Sequence, residues 1–283
     1  MKKIKIKSYC KINLSLRVYN KLRNNYHNIN SLITFCYLHD VISICAIKGY
    51  KDKINFYGKF SKGIDKKSNT ITKVLKQLRK RNFIKRQAFK IVIKKNIPHG
   101  SGLGGGSTNA ADLINFFNLK IKKKKIYELA NQIGSDVPIC LKKKNTLLIG
   151  KKEKIIRMNR SFKLIVLIVY PNLICSTQKI YLRNRNFSYL RYRNKLNLNN
   201  NKQLINFLKK EKNDLQKTVV KYYPKVQRVI NFMDDRKGCY FSRITGSGSA
   251  CIGIFSSMKT AVQAKKMISL KFPSYWCNIS KTM

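Results

Sequence analysis

The stretch Pro98-His99-Gly100-Ser101-Gly102-Leu103-Gly104-Gly105-Gly106-Ser107-Thr108-Asn109-Ala110-Ala111 decides the fold of this chain. Strand-type apolar residues precede it at 89–93, and apolar residues with helical spacing follow it at 110–117. Glycine lets a backbone approach a ligand closely, and the first N–H groups of a helix attract anions. The order of strand, glycine loop and helix start therefore predicts a phosphate-binding site.

The start of that helix has a signal of its own. Ser107, Thr108 and Asn109 are residue types that are preferred at helix N-caps, so we expect the helix to begin beside them. Asp112 would then lie in the first turn, where a carboxylate suits the positive end of the helix dipole.

Other phosphate loops fit the stretch less well. A P-loop ends in Gly-Lys-Ser/Thr, which the sequence does not contain. The Rossmann spacing is met by Gly100, Gly102 and Gly105, but that fold needs an acidic strand end about 20 residues later. Residues 120–125 are instead rich in lysine and lead into a helical pattern. A glycine-rich surface loop remains the plain alternative.

Composition sets the class of protein. The 283 residues suffice for one large domain or two ordinary ones, and 43% are hydrophobic, as in globular proteins. The formal charge of +50 is extreme, yet lysines are spread along the whole chain beside many Asn and Ile residues. We interpret the charge as a compositional bias rather than as a nucleic-acid-binding function, although nonspecific adhesion to polyanions would follow.

The cysteines, the apolar runs and the N-terminal residues indicate the compartment and whether a metal is expected. The eight cysteines form no C-x-x-C pair, so we do not expect a metal cluster. Most of them lie in apolar runs and are expected to be small core residues, which suits a reducing compartment. No apolar run reaches about 18 residues, and the N-terminus lacks a secretory apolar segment. The expected location is the cytoplasm, with no membrane partner.

The glycine stretch resembles the ATP-binding motif of the GHMP kinases, which phosphorylate small alcohols. Thr245-Gly246-Ser247-Gly248-Ser249 resembles the C-terminal loop of the same family. The Gly-Leu-Gly-Gly-Gly core is similar to that of one branch of this family, which acts in the non-mevalonate isoprenoid pathway. The same branch is indicated by Tyr26-His27 and Gly134-Ser135-Asp136-Val137-Pro138. This resemblance implies an α+β fold of two GHMP kinase domains, here 1–157 and 158–283, with the active site in the cleft between them.

The resemblance also implies roles for individual residues. ATP would donate its γ-phosphoryl group to the 2-hydroxyl of a diphosphocytidyl-methylerythritol, with Mg²⁺ accompanying it. Lys11 and Asp136 would be catalytic, with Asp136 accepting the hydroxyl proton, and no residue is assigned as a metal ligand. The ATP-binding residues would be Pro98, His99, Gly100, Ser101, Gly102, Leu103, Gly104, Gly105, Gly106, Ser107 and Thr108; the substrate-binding residues would be Asn13, Tyr26, His27, Thr177 and Tyr181.

Residue patterns alone favour plainer roles for several of these positions. Apolar residues alternate with polar ones from 12 to 18, so periodicity places Lys11 and Asn13 on a solvent-facing side of a strand. Asp136 precedes Val137-Pro138 and would serve as a helix N-cap. Tyr26 and Tyr181 would be packing residues, and His27 a surface residue.

Two rival functions remain open. A homoserine or mevalonate kinase would share the fold, but the Tyr26-His27 pair argues against it. A basic nucleic-acid-binding protein would need cations among aromatic residues, and residues 182–194 offer that combination locally. ATP turnover as opposed to salt-sensitive RNA binding separates the classes. The sequence does not predict an oligomeric state.

Overall fold

The computed structural model describes residues 3–22, 27–85, 87–150, 154–189, 198 and 200–283. Two compact units divide the chain and are interleaved along it. Unit 1 comprises Met1–Lys11, Leu38–His99 and Gly104–Lys143; unit 2 comprises Ile12–Tyr37, Gly100–Leu103 and Lys144–Met283. The proposed boundary at 157/158 stays a prediction.

Unit 1 combines strands with a group of helices. Its elements are most of β1 (Ile4–Asn13), the later part of β3 (His27–Ile47), β4 (Lys53–Tyr57), α1 (Thr70–Lys80), β5 (Ala88–Lys94), α2 (Gly105–Phe116), α3 (Lys123–Ile133) and α4 (Val137–Cys140). Strand β5 runs antiparallel to residues 41–47 of β3, and β4 runs parallel to β5. Helix α1 contacts α2 and α3, and α2 contacts α4.

The helix patterns of unit 1 follow the sequence closely. In α1 the residues at helical spacing are the buried ones, Ile71, Val74, Leu75 and Leu78. Asn69 caps this helix by accepting a hydrogen bond from the backbone N–H of Thr72 at 3.0 Å. Helix α3 ends at Gly134, as its pattern predicts.

Helix α2 begins earlier than its capping residues predict. Its N-cap is Gly104, and Ser107, Thr108 and Asn109 lie inside the helix. Gly104 takes φ +67°, which is open to glycine and strained for other residues. A backbone conformation, rather than a side-chain cap, therefore starts the helix, and the N-cap prediction was wrong by about one turn.

Unit 2 contains a four-stranded antiparallel sheet and part of β3. Strand β2 (Arg17–Lys21) and strand β6 (Thr146–Gly150) both run antiparallel to the first part of β3, and β7 (Lys154–Arg157) pairs with β6. The four-stranded sheet has the order β11 (Trp276–Lys281), β8 (Ile165–Tyr170), β10 (Cys251–Phe255), β9 (Cys239–Ile244). The helices are α5 (Thr177–Arg183), α6 (Asn201–Lys210), α7 (Gln216–Tyr222), α8 (Pro224–Asp234) and α9 (Met258–Lys271).

The core of unit 2 lies between its central strands and their helices. Strand β8 is the continuous apolar run of the sequence, and its residues from Val166 to Val169 are fully buried. Helix α8 contacts β9 and β10, and α9 contacts β8, β10 and β11. Among the described residues, no helix is both long and apolar enough to cross a bilayer.

Candidate active site

Lys11 and Asp136, both in unit 1, form an ion pair. Lys11 lies in β1, and its Nζ donates to Oδ2 of Asp136 at 2.9 Å. Periodicity predicted a solvent-facing Lys11, which is wrong: the residue is 3% exposed, because other elements cover the polar side of the strand. Asn13 is likewise buried, so its solvent-facing prediction is also wrong.

The carboxylate of Asp136 is not used as a helix cap. Asp136 is the residue before α4, but its side chain makes no capping hydrogen bond to that helix. Its carboxylate instead accepts from Lys11, and the side chain is 41% exposed. A half-exposed carboxylate held by a buried amine can accept a proton from a group that binds beside it.

The glycine loop contacts this pair through Gly104. A Cβ atom at Gly104 would lie 3.1 Å from both Cβ and Cε of Lys11. Only a residue without a side chain therefore lets the loop pack on the Lys11 stem. Since Gly104 caps α2, the unpaired N–H groups at the start of that helix lie in the same part of unit 1 as Lys11.

The earlier part of the glycine loop belongs to unit 2 and packs on the segment Thr245–Ser249, here called the Gly-Ser loop. A Cβ atom at Gly102, where φ is +84°, would lie 2.1 Å from the carbonyl oxygen of Thr245. The N–H of Ala250 donates to the carbonyl oxygen of Ser101 at 3.0 Å. Backbone therefore meets backbone here, which leaves no room for a side chain.

The other predicted ATP-binding residues differ in exposure. Pro98, Ser101, Leu103, Gly105 and Thr108 are buried, His99 and Ser107 are half-buried, and Gly100 and Gly106 are exposed. The Thr108 hydroxyl donates to the carbonyl oxygen of Gly105 at 3.0 Å, within the first turn of α2. The groups that this loop could offer to an anion are mainly its backbone N–H groups.

Two of the predicted substrate residues contact the Gly-Ser loop. The N–H of Asn13 donates to Oγ1 of Thr245 at 2.8 Å, and its Nδ2 donates to Oγ of Ser31 at 2.8 Å. The hydroxyls of Thr177 and Ser247 lie 2.9 Å apart. All of these residues belong to unit 2.

His27 and Tyr181 form an aromatic pair in unit 2. Their ring centroids are 4.9 Å apart at an interplanar angle of 46°. His27 is 8% exposed, so the prediction of a surface residue was wrong. Burial, with a smaller contribution from the charge of Lys21, lowers the pKa of His27, so the ring is neutral near pH 7. Tyr26, predicted to share this pocket, lies outside the described residues.

Sequence reasoning missed a second Lys–Asp pair, which supports the start of α2. Lys95 Nζ donates to Oδ2 of Asp40 and, at 3.0 Å, to Oδ1 of Asn109. Oδ1 of Asp40 accepts from the backbone N–H groups of Asn96 and Ile97 at 2.8 and 2.9 Å. Lys95 lies only three residues before the glycine stretch in the sequence, which could have drawn attention to it. Nothing in the local sequence links Lys95 or Asn109 to Asp40.

Family models match both parts of the chain. The model of the GHMP kinases N terminal domain matches residues 69–144, and that of the GHMP kinases C terminal domain matches residues 194–274. Together these matches cover more than half of the chain, and the first of them includes the glycine loop and Asp136. The class that the fold and the site define is the GHMP kinases.

Relatives narrow this class. A 4-diphosphocytidyl-2-C-methyl-D-erythritol kinase of Pelagibacter ubique is 39% identical over the full length of both chains. One of Caldanaerobacter subterraneus is 31% identical over 99% of this chain and 97% of its own. The chain belongs to the GHMP kinase family, in the branch of the 4-diphosphocytidyl-2-C-methyl-D-erythritol kinases.

Solved structures agree on the α+β fold. A crystal structure of 4-(cytidine 5'-diphospho)-2C-methyl-D-erythritol kinase superposes with a TM-score of 0.76 at 20% identity, covering 99% of this chain and all of the other. Homoserine kinase from Cytophaga hutchinsonii gives 0.67 at 13% identity, covering 100% of this chain and 95% of its own. At these identities the likeness concerns the fold alone.

Proposed function

We propose that the chain transfers the γ-phosphoryl group of ATP to the 2-hydroxyl group of 4-diphosphocytidyl-2-C-methyl-D-erythritol. The observation that carries the proposal is the contact of Lys11 with both Asp136, at 2.9 Å, and the Gly104 backbone. A base, a cation and the anion-binding start of a helix thus meet in one unit. Phosphoryl transfer needs these three elements, since its catalysis is mainly positioning and charge stabilisation.

Each residue then has a role. Asp136 accepts the proton of the attacking hydroxyl group. Lys11 orients that carboxylate and offsets negative charge on the transferring group. The N–H groups of the glycine loop and of the first turn of α2 bind the β- and γ-phosphates.

Mg²⁺ enters this proposal as a companion of ATP. No group of three or more His, Cys, Asp and Glu side chains that could hold a metal ion occurs among the described residues. Mg²⁺ in phosphoryl-transfer sites is often held by one or two carboxylates and the substrate phosphates, so such a group is not required. When bound, the ion neutralises phosphate charge, and no residue of the chain is assigned to it.

The cytidyl part of the substrate would bind beside His27 and Tyr181. A neutral imidazole offers one donor and one acceptor to a base edge, and the half-buried Tyr181 ring offers a stacking face. A small aliphatic acid such as homoserine or mevalonate has no aromatic ring to stack there. This pair is the feature that favours the cytidyl alcohol over the substrates of the other GHMP kinases.

A substrate panel tests the proposal. ADP formation is measured with the cytidyl alcohol, homoserine and mevalonate as acceptors, and we expect turnover with the first. Tyr181→Ala should raise KM for the cytidyl alcohol by about 5- to 150-fold, because stacking a base is worth about 1–3 kcal/mol. KM for ATP should stay nearly constant, and equal effects on both substrates would mean that Tyr181 is only a packing residue.

The nucleic-acid-binding alternative is tested by the same preparation. Part of its supporting segment, residues 190–194, lies outside the described residues. Tight RNA binding that weakens steeply with salt, without ATP turnover on any alcohol, would favour it over the kinase. We further propose a cytoplasmic location, which fits a substrate that carries charged phosphates.

A further inference from the structure

A cavity of about 540 Å³ lies in unit 2. It is lined by Glu211, Lys212, Asn213, Gln216, Lys217, Val220, Lys221, Gln227, Ser242 and Arg243. None of these belongs to the catalytic, ATP-binding or substrate-binding sets. Its volume is in the range of small-molecule sites, about 300–1,000 Å³.

The lining residues carry an excess of positive charge. Four of them are cationic, Lys212, Lys217, Lys221 and Arg243, and Glu211 is their one carboxylate. That carboxylate is already engaged, because its Oε2 accepts from Nε of Arg17 at 2.8 Å. Lys212 also has an acidic neighbour, since its Nζ lies 3.5 Å from Oδ1 of Asp214. The excess positive charge of the cavity therefore comes from Lys217, Lys221 and Arg243.

Arg243 is a buried cation of this cavity, and burying a charge without a counter-ion is unfavourable. The residue is 5% exposed, and its Nη1 and Nη2 donate to the neutral carbonyl oxygens of Leu14 and Leu208 at 3.2 and 2.7 Å. Burial, only partly offset by Glu211 and Asp234, lowers the pKa of Arg243 to about 10. A buried cation bonded to neutral groups gains from an anion brought into its cavity.

Lys217 and Lys221 complete the arrangement at the exposed side. They lie four residues apart on α7, so both project from one face of the helix towards the cavity. Two exposed amines beside one buried guanidinium suit an anion with several charges. The cavity is too large for a single phosphate, and its amide and hydroxyl groups suit an uncharged remainder of the ligand.

We infer that this cavity binds a small molecule that carries a diphosphate group, at a site separate from the glycine loop. The site adjoins the Gly-Ser loop, because Nδ2 of Asn213 donates to the carbonyl oxygens of Ile244 and Gly246 at 3.1 and 2.8 Å. The inference does not depend on which alcohol the chain phosphorylates.

Calorimetric titration of the full chain with inorganic diphosphate tests the inference. One equivalent of a non-hydrolysable ATP analogue occupies the glycine loop without leaving excess triphosphate to compete for the cavity, and ionic strength is held constant. We expect saturable binding of one diphosphate per chain. Lys217→Gln with Lys221→Gln should weaken it about tenfold or more, since hydrogen bonds to charged groups are worth about 1.5–3 kcal/mol. These side chains are exposed, so the double variant should fold, whereas Arg243 variants would risk the buried carbonyl bonds.

A control variant is needed because the chain carries a formal charge of +50 and could bind anions nonspecifically. Lys76 and Lys80 are also exposed, also four residues apart, and also at the end of a helix, α1. Lys76→Gln with Lys80→Gln removes the same charge and should leave diphosphate affinity within about twofold. Equal weakening by both pairs, unchanged binding in the α7 pair, or no saturable binding would each overturn the inference.

Discussion

Two of the Lys–Asp pairs in unit 1, Lys11–Asp136 and Lys95–Asp40, differ in what surrounds the carboxylate. Lys11 and Lys95 are similarly buried, with side chains 4% and 3% exposed. Asp136 is 41% exposed, whereas Asp40 is fully buried and also accepts from two backbone N–H groups. A carboxylate saturated by protein donors can only hold structure, while one with an open side can meet a substrate. The same residue types thus give a scaffold in one place and a candidate base in the other.

The largest expected effect is on the chemistry of Asp136. Asp136→Asn keeps the shape of the side chain but removes its ability to accept a proton, so kcat should fall by about 10²–10⁴-fold. The free energy of unfolding should fall by less than in Asp40→Asn, because Asp136 is half-exposed and solvent on its open side can take its place beside Lys11. Single-turnover phosphoryl transfer and urea unfolding measure the two quantities. A near-normal kcat would remove Asp136 from the role of base.

Asp40→Asn should show the opposite behaviour. The change leaves the Lys95 ammonium buried without its counter-charge, so the free energy of unfolding should fall by about 3–5 kcal/mol. Among molecules that remain folded, kcat should fall much less than in Asp136→Asn. Asp52→Asn is the matched control, because the Arg79–Asp52 pair is more exposed, at 31% and 16%. A loss as large in the control would mean that burial is not what distinguishes the Asp40 pair.

A double variant sharpens the assignment of Lys11. If Lys11 works by orienting Asp136, then Lys11→Met should lower kcat by a smaller factor in a chain that already carries Asp136→Asn than in the unchanged chain. We expect the combined loss in kcat to fall short of the product of the single losses by about tenfold. Lys76→Met, at an exposed position on α1, is the control. Its effect on kcat should be independent, so that the double variant with Asp136→Asn shows the product of the two single effects. Fully multiplicative losses for Lys11 would mean that it acts on the substrate independently.

More of the candidate site than of its scaffold could be predicted from the sequence. The glycine stretch, Lys11 and Asp136 belong to motifs, and each stands in a recognisable local pattern. The burial of Lys11 could not be predicted, because alternation shows only which residues share a face and not whether another element covers it. Asp40 lies 55 residues from Lys95, so their pair exists only through the tertiary fold. The start of α2 was misplaced because a left-handed glycine replaced the side-chain cap that the pattern favours.

The smallest expected effects come from two neighbouring glycines, one of which contacts the Lys11–Asp136 pair and the other the Lys95–Asp40 pair. A Cβ atom at Gly104 would lie 3.1 Å from the Lys11 stem, and φ there is +67°, so Gly104→Ala combines a local strain of about 1–2 kcal/mol with displacement of Lys11. We expect kcat to fall about tenfold, which corresponds to about 1.4 kcal/mol. At Gly105 the Cβ atom would meet Ile97 at 3.1 Å and Nζ of Lys95 at 3.4 Å, on the side of the buried pair.

Gly105→Ala keeps the backbone N–H that this residue would offer to the phosphates, so it should act on stability rather than on chemistry. Alanine is favoured over glycine inside a helix by about 0.5–1 kcal/mol, which offsets part of the crowding against Ile97. We expect the free energy of unfolding to change by about 1 kcal/mol or less and kcat by less than twofold. Both variants are measured by steady-state turnover and by urea unfolding. If Gly105→Ala lowered kcat more than Gly104→Ala, the Lys95–Asp40 pair would be coupled to the reaction, and the division between scaffold and chemistry drawn from the two carboxylates would be wrong.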